Sequence, residues 1–221
     1  MNVFNAAFVA LFLTLCVGSP TEEDFRDFSN REGRTIRAKL ESATADKVTV
    51  RLTSGKTYTL ELNQLSDSDQ EYVRDYLGRE EAKEDARARA EHADEARAKV
   101  LEFAESHLGK PVGNGECWTL ANQAYVAAKI SRPGGDQRVW GREIDYEKEE
   151  ILPGDIIEIK EATFTGGLKV PNQHTAIICK ATRRGDLEVL EQNTGGRKFV
   201  TRGAISLRAL ESGTVRIYRY E

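Results

Sequence analysis

Val112-Gly113-Asn114-Gly115-Glu116-Cys117-Trp118 is the stretch on which the reading of this chain turns. Its two glycines predict a loop. Directly after it, Leu120, Ala121, Ala124, Tyr125 and Ala128 recur at helical spacing, which predicts a helix from Cys117 to about residue 130. A cysteine in the first turn of a helix meets backbone amides without intrahelical partners and the positive end of the helix dipole. Both favour the thiolate, the nucleophilic form of the side chain. Glu116 puts a carboxylate next to that thiol and is expected to raise its pKa.

Downstream, Leu152-Pro153-Gly154-Asp155 marks a turn, and strands are predicted over residues 156–160, 174–181, 187–193 and 214–220. Helices followed by consecutive strands indicate an α+β domain. Of the three histidines in the chain, His174 alone falls in these strands. Beside the cysteine-bearing helix it can take the thiol proton and return it to a leaving group. Glu191 and Asn193, two apart on one predicted strand, are expected to share a face, and either can orient the imidazole through its second nitrogen. Cys179 falls on the opposite face of its strand from His174 and reads as core. Its face and that of Cys117 should diverge, which disfavours a disulfide between them.

Upstream, residues 100–108 form an apolar helix ending near Gly109-Lys110-Pro111. Residues 78–99 are alanine-rich and charged, without proline, and read as a solvated spacer helix with little grip on a core, supported by Asp85–Arg89 and Glu95–Lys99 pairs. Residues 25–77 alternate apolar and polar side chains around glycine turns, the pattern of a small antiparallel sheet, and Ser66-Asp67-Ser68-Asp69 caps a short helix. Residues 6–17 are apolar but too few to span a bilayer. With Gly18 and Ser19 after them, residues 1–19 read as a secretory signal, so no stable membrane span is expected after cleavage. Cys16 leaves lipidation open.

The formal charge of −4 over 221 residues removes the electrostatic case for nucleic-acid binding. Three cysteines and three histidines supply neither a disulfide scaffold nor a four-cysteine zinc site, so no metal and no cofactor are expected.

Phe103-Ala104, Leu108-Gly109-Lys110-Pro111, Gly115-Glu116-Cys117-Trp118, Leu152-Pro153-Gly154-Asp155-Ile156, His174-Thr175-Ala176-Ile177-Ile178 and Glu191-Gln192-Asn193 follow one another in the order found in CHAP and NlpC-type papain-like amidohydrolases. The resemblance covers residues 100–221. It implies a cysteine-bearing helix packed on an antiparallel sheet, Cys117 as nucleophile, His174 as base, and Glu191 or Asn193 as the orienting residue. Asn114, Gln192 and Trp118 are weaker candidates for oxyanion or substrate contacts. It also implies amide hydrolysis, often in bacterial cell-wall peptides. Residues 25–76, through Gly33-Arg34, Ala38-Lys39-Leu40, Lys47-Val48-Thr49-Val50-Arg51-Leu52 and Leu65-Ser66-Asp67-Ser68-Asp69-Gln70, resemble the Sla-one homology domain. That domain is an SH3-like barrel known as a reader of short Asn-Pro-Phe-containing peptides in fungal endocytic adaptors.

The expectation is an exported thiol amidohydrolase acting on a peptide or peptidoglycan substrate, with a small SH3-like module that binds a peptide or protein. The alternatives are a catalytically idle adaptor that works through that module, and an acyl transferase of the same fold.

Overall fold

The computed structural model describes residues 24–133, 138–182 and 184–221. The expected export signal and Cys16 lie outside the described residues. The described residues are α+β, with two α-helices and two antiparallel sheets, and the chain divides between Lys83 and Glu84 into two units.

In the first unit, β1 (Arg26–Ser29), β2 (Thr35–Ala43), β3 (Lys47–Leu52) and β4 (Thr57–Glu61) form a sheet in sequential order. Alternation places Phe28, Ala38, Leu40, Val48 and Val50 in one buried cluster with Leu62, Leu65 and Val73. Ser66 caps the first helix, α1 (Asp67–Ser106): its Oγ accepts from the Asp69 amide and donates to the Asp69 carboxylate. Asp69, 2% exposed, also accepts from Arg26 and the Ser29 amide, tying β1 to the helix start.

The structure corrects the division of residues 67–106 into a short helix, a spacer and a second helix, because α1 runs unbroken for 40 residues. Gly78 costs a helix interior about 1 kcal/mol, and the strong helix formers around it outweigh that. The spacer was also expected to have little grip on a core, yet Ala93, Ala96 and Arg97 are buried. Alanine's small side chain is what allows this close approach. Gly154 in the Pro153-Gly154-Asp155 turn has φ +89°, and a β-carbon there would lie 2.7 Å from both Cβ and O of Arg97. Asp155, fully buried, closes the turn by accepting from the Leu152 amide and from two nitrogens of Arg219.

The second unit is a six-stranded sheet of β5 (Arg142–Glu143), β6 (Ile156–Phe164), β7 (Lys169–Ala181), β8 (Asp186–Glu191), β9 (Thr201–Ser206) and β10 (Leu210–Arg219), in the order β5-β10-β6-β7-β8-β9. One face packs on the end of α1 and on α2 (Cys117–Ala127) through Val100, Ala104, Leu120, Ala124, Tyr125, Ile156, Ile177 and Leu190. Tyr125 and Trp140 meet edge-on at 5.3 Å, and the Tyr125 hydroxyl donates to the Trp140 carbonyl. Such an aromatic pair adds about 0.5–1.5 kcal/mol beyond its buried area. The other face gathers Ile157, Ile159, Val170, Ala176, Ile178, Val189 and Ile205 from the strands themselves.

Candidate active site

Three segments converge at the amino terminus of α2. The loop before it is shaped by glycines at φ +55° (Gly113) and +79° (Gly115), and a β-carbon on Gly115 would come within 2.7 Å of Lys198. β7 brings in His174, and the end of β8 brings in Glu191. Cys117 is buried, and His174 is near enough to its thiol to act on its ionisation. His174 Nε2 lies 2.6 Å from Glu191 Oε2, which leaves Nδ1 as the ring nitrogen for the thiol.

Burial alone would push the Cys117 thiol up. The hydrogen bond with His174, another to the Thr175 backbone, and the positive charges of His174 and Arg138 reverse this and hold it below its ordinary value. Burial likewise pulls His174 down, but its bonds to Cys117 and Glu191 and their negative charge carry its pKa up to about 9. The arrangement therefore shifts the pair toward thiolate and imidazolium. Both thiols among the described residues, Cys117 and Cys179, are free.

The carboxylate of Glu116 does not act on the thiol as its position in the sequence suggested. Lys198 bonds it at 2.9 Å and the Asn193 side-chain amide at 2.6 Å. The Lys198 contact holds the Glu116 carboxyl below its ordinary range, so its negative charge is matched outside the site.

Asn193 also corrects an expectation. β8 ends at Glu191, and Asn193 sits at φ +64° in a turn whose amide bonds the Arg197 carbonyl, so it does not share a strand face with Glu191. Asparagine is one of the few non-glycine residues that tolerate this region, which is why the strand stops there. Glu191 meets the imidazole, whereas Asn193 meets Glu116.

Gln192 is fully buried, with its side-chain amide bound to the nucleophile loop. Its Nε2 donates to the carbonyls of Val112 (3.0 Å) and Glu116 (2.7 Å), and its Oε1 accepts from the Val112 amide (3.1 Å). It clamps the nucleophile loop to the end of β8. Asn114 Oδ1 accepts from the Glu116 amide and the Thr119 hydroxyl, and so fixes the turn into α2. The remaining weak candidate, Trp118, is half-buried, 6.1 Å from Trp140, with the Arg132 guanidinium 4.9 Å from both rings. Cys179, expected in the core, is only partly buried and lies 3.5 Å from Arg202 Nη1.

Glu158, Thr175, Arg138 and Trp140 escaped the sequence reading. Glu158 pairs across the sheet with Thr175. Its Oε1 accepts from Trp140 Nε1 and the Thr175 hydroxyl, and its Oε2 from Arg138. Burial pushes the Glu158 carboxyl up, against the pull of these donors. The cross-strand Glu–Thr pair would be visible only with the β6–β7 register in hand. Among the described residues no group of three His, Cys, Asp or Glu side chains is arranged to hold a metal ion. No described helix is long and apolar enough to cross a membrane.

The family described as the AIM3/BBC1 cysteine proteinase-fold domain matches residues 89–220. Altered inheritance of mitochondria protein 3 of Debaryomyces hansenii is 29% identical over 143 residues, covering 54% of this chain. This chain spans 15% of that protein's length. Among solved structures, Ly7917 is similar at 20% identity and a TM-score of 0.39, over 56% of this chain and 62% of that one. An NlpC/P60 family protein from Bacillus cereus ATCC 10987 is similar at 15% identity and a TM-score of 0.38, over 89% and 61%.

Proposed function

From the premise that the chain belongs to the AIM3/BBC1 cysteine proteinase-fold family, we propose that it is a thiol amidohydrolase with Cys117 as nucleophile, His174 as acid and base, and Glu191 as the residue that orients the imidazole. The observation that carries the reading is the His174–Glu191 contact of 2.6 Å beside the buried Cys117 at the start of α2, with the thiol's pKa lowered by His174. The Cys117 thiolate attacks an amide carbonyl carbon. The oxyanion is held by backbone amides of the first turn of α2, since the side-chain amide of Gln192 is committed to the loop. The C–N bond breaks as His174 passes its proton to the nitrogen, leaving a thioester on Cys117. His174 then takes a proton from water, which attacks the thioester and frees the acid and the thiol.

In the same reading, residues 25–77 form an SH3-like module that binds a short peptide or protein, and residues 1–19 direct export. The substrate is a peptide amide, of cell-wall type if export holds. Incubation of the full chain with peptide amides, and with Cys117→Ala as control, tests the activity. Cleavage by wild type and none by the variant is expected. Equal cleavage by both would overturn the assignment.

A further inference from the structure

Glu116 is the residue before Cys117 and the N-cap of α2, yet its side chain makes no capping bond there. Its carboxylate is fastened elsewhere. Oε1 accepts from Lys198 Nζ at 2.9 Å and Oε2 from Asn193 Nδ2 at 2.6 Å. The two donors stand at the ends of one turn, in which Asn193 has φ +64° and its amide donates to the Arg197 carbonyl. The Lys198 side chain crosses Gly115 on its way: a β-carbon on Gly115 would lie 2.7 Å from Lys198 Cβ and 3.3 Å from its Cδ. The Lys198 and Glu116 side chains are both well exposed, and an ion pair so exposed adds little to stability. What the glycine notch and the left-handed turn achieve is the placing of one carboxylate.

Without those donors the carboxylate has another partner within its own helix. The first-turn amides of an α-helix and the positive end of its dipole attract a carboxylate at the N-cap. In α2 these are the groups that favour the Cys117 thiolate, and that hold the oxyanion in the proposed reaction. A carboxylate drawn to them would set a like charge beside the thiolate and occupy its donors. We infer that Asn193 and Lys198 are positioning residues of the nucleophile: by fastening the Glu116 carboxylate to the turn of residues 193–198, they keep it off the first turn of α2.

The inference rests on Cys117 as the proposed nucleophile, and the test separates the two. Full-length protein is alkylated with iodoacetamide across pH at low salt, where exposed charges are least screened. The Cys117 midpoint is read as its difference from that of Cys179 in the same chain, so a general loosening of the fold cancels. Asn193→Gly removes a neutral side chain, and glycine keeps the positive φ. Lys198→Met removes the cation at an exposed position and carries the test if Asn193→Gly does not fold. Each is made alone and together with Glu116→Gln. The other charged groups at Cys117 among the described residues are His174, backed by Glu191, and Arg138, backed by Glu158, and the variants keep all four. Asn193→Gly and Lys198→Met should each raise the Cys117 midpoint by about 0.5 pH unit, the size expected of one unmatched charge at a solvated edge. With Glu116→Gln in place, Asn193→Gly should leave the midpoint where it is and Lys198→Met should raise it less. A turn disturbed for its own sake would shift the midpoint equally in both backgrounds. Equal shifts, an unmoved midpoint in either single variant, or a rise in Glu116→Gln alone overturns the inference. A wild-type Cys117 midpoint no lower than that of Cys179 overturns the nucleophile reading, and the inference with it.

Discussion

Gly203 leaves room for the Glu191 carboxylate: a β-carbon on Gly203 would fall 2.4 Å from Glu191 Oε1. The two residues lie on neighbouring strands, β8 and β9, where Glu191 pairs with Thr201 and Val189 with Gly203. Gly203 is not among the glycines at positive φ, so it is the space and not the backbone that calls for glycine. Gly203→Ala is therefore expected to displace the carboxylate from His174 and to lower kcat by about 10-fold or more, toward the loss seen when a triad carboxylate is disabled. The fold should remain. Steady-state kinetics beside a far-UV spectrum check it, and unchanged kcat would show that Glu191 does not need that position.

Gln192 makes three hydrogen bonds to the nucleophile loop from a site with no solvent access. Gln192→Leu keeps much of the volume and leaves the Val112 amide and two carbonyls without these partners. The expected loss of stability is about 2–4 kcal/mol, since each buried unsatisfied group costs about 1–3 kcal/mol and the loop can relax. Urea denaturation measures it. Full stability would mean that the loop holds itself.

The helix start at Cys117 and the strand positions of His174 and Glu191 were legible because each rests on a local rule, a glycine loop before helical spacing and alternation along a strand, whereas their grouping as one site came from the family resemblance. Asn193 was misread because its alternation with Glu191 continues past the real strand end, and only the turn to Arg197 reveals the left-handed backbone. The unbroken α1 was missed for the opposite reason. Its composition changes at residues 78 and 100 while its backbone does not. β9 was not anticipated at all, since Thr201-Arg202-Gly203-Ala204-Ile205 reads as loop unless the demand of Glu191 for space is known. Glu158 depends on the cross-strand register, which no single segment encodes.

Glu158→Gln separates its two oxygens. An amide oxygen can still accept from Trp140 and Thr175, but the amide nitrogen would face Arg138 donor to donor. A loss of about 1–3 kcal/mol is expected from the broken charged contact. Thermal melts of variant and wild type at pH 7 test this, and an unchanged melting temperature would remove Arg138 from the account of stability.

The pH dependence follows from His174. Its folded pKa of about 9 lies above the ordinary 6.5, so its contribution to stability is complete below pH 6.5 and is lost as pH rises through about 9. Amide cleavage should fall over the same upper range, because the departing nitrogen needs the imidazolium proton. Acylation by p-nitrophenyl acetate, whose phenolate leaves unprotonated, should not fall there. Parallel decline of both would place the proton elsewhere.

The central claim is a thiolate held by His174, and alkylation of Cys117 by iodoacetamide as a function of pH, resolved from Cys179 by peptide mass spectrometry, tests it most directly. Cys179 is an internal reference, because burial pushes its thiol up while Arg202 only partly opposes it. Cys117 should react with a midpoint below its ordinary value and below that of Cys179, and His174→Ala should move the Cys117 midpoint upward while leaving Cys179 in place. Coincident profiles for the two cysteines, or a Cys117 profile indifferent to His174→Ala, would contradict the thiolate–imidazolium pair.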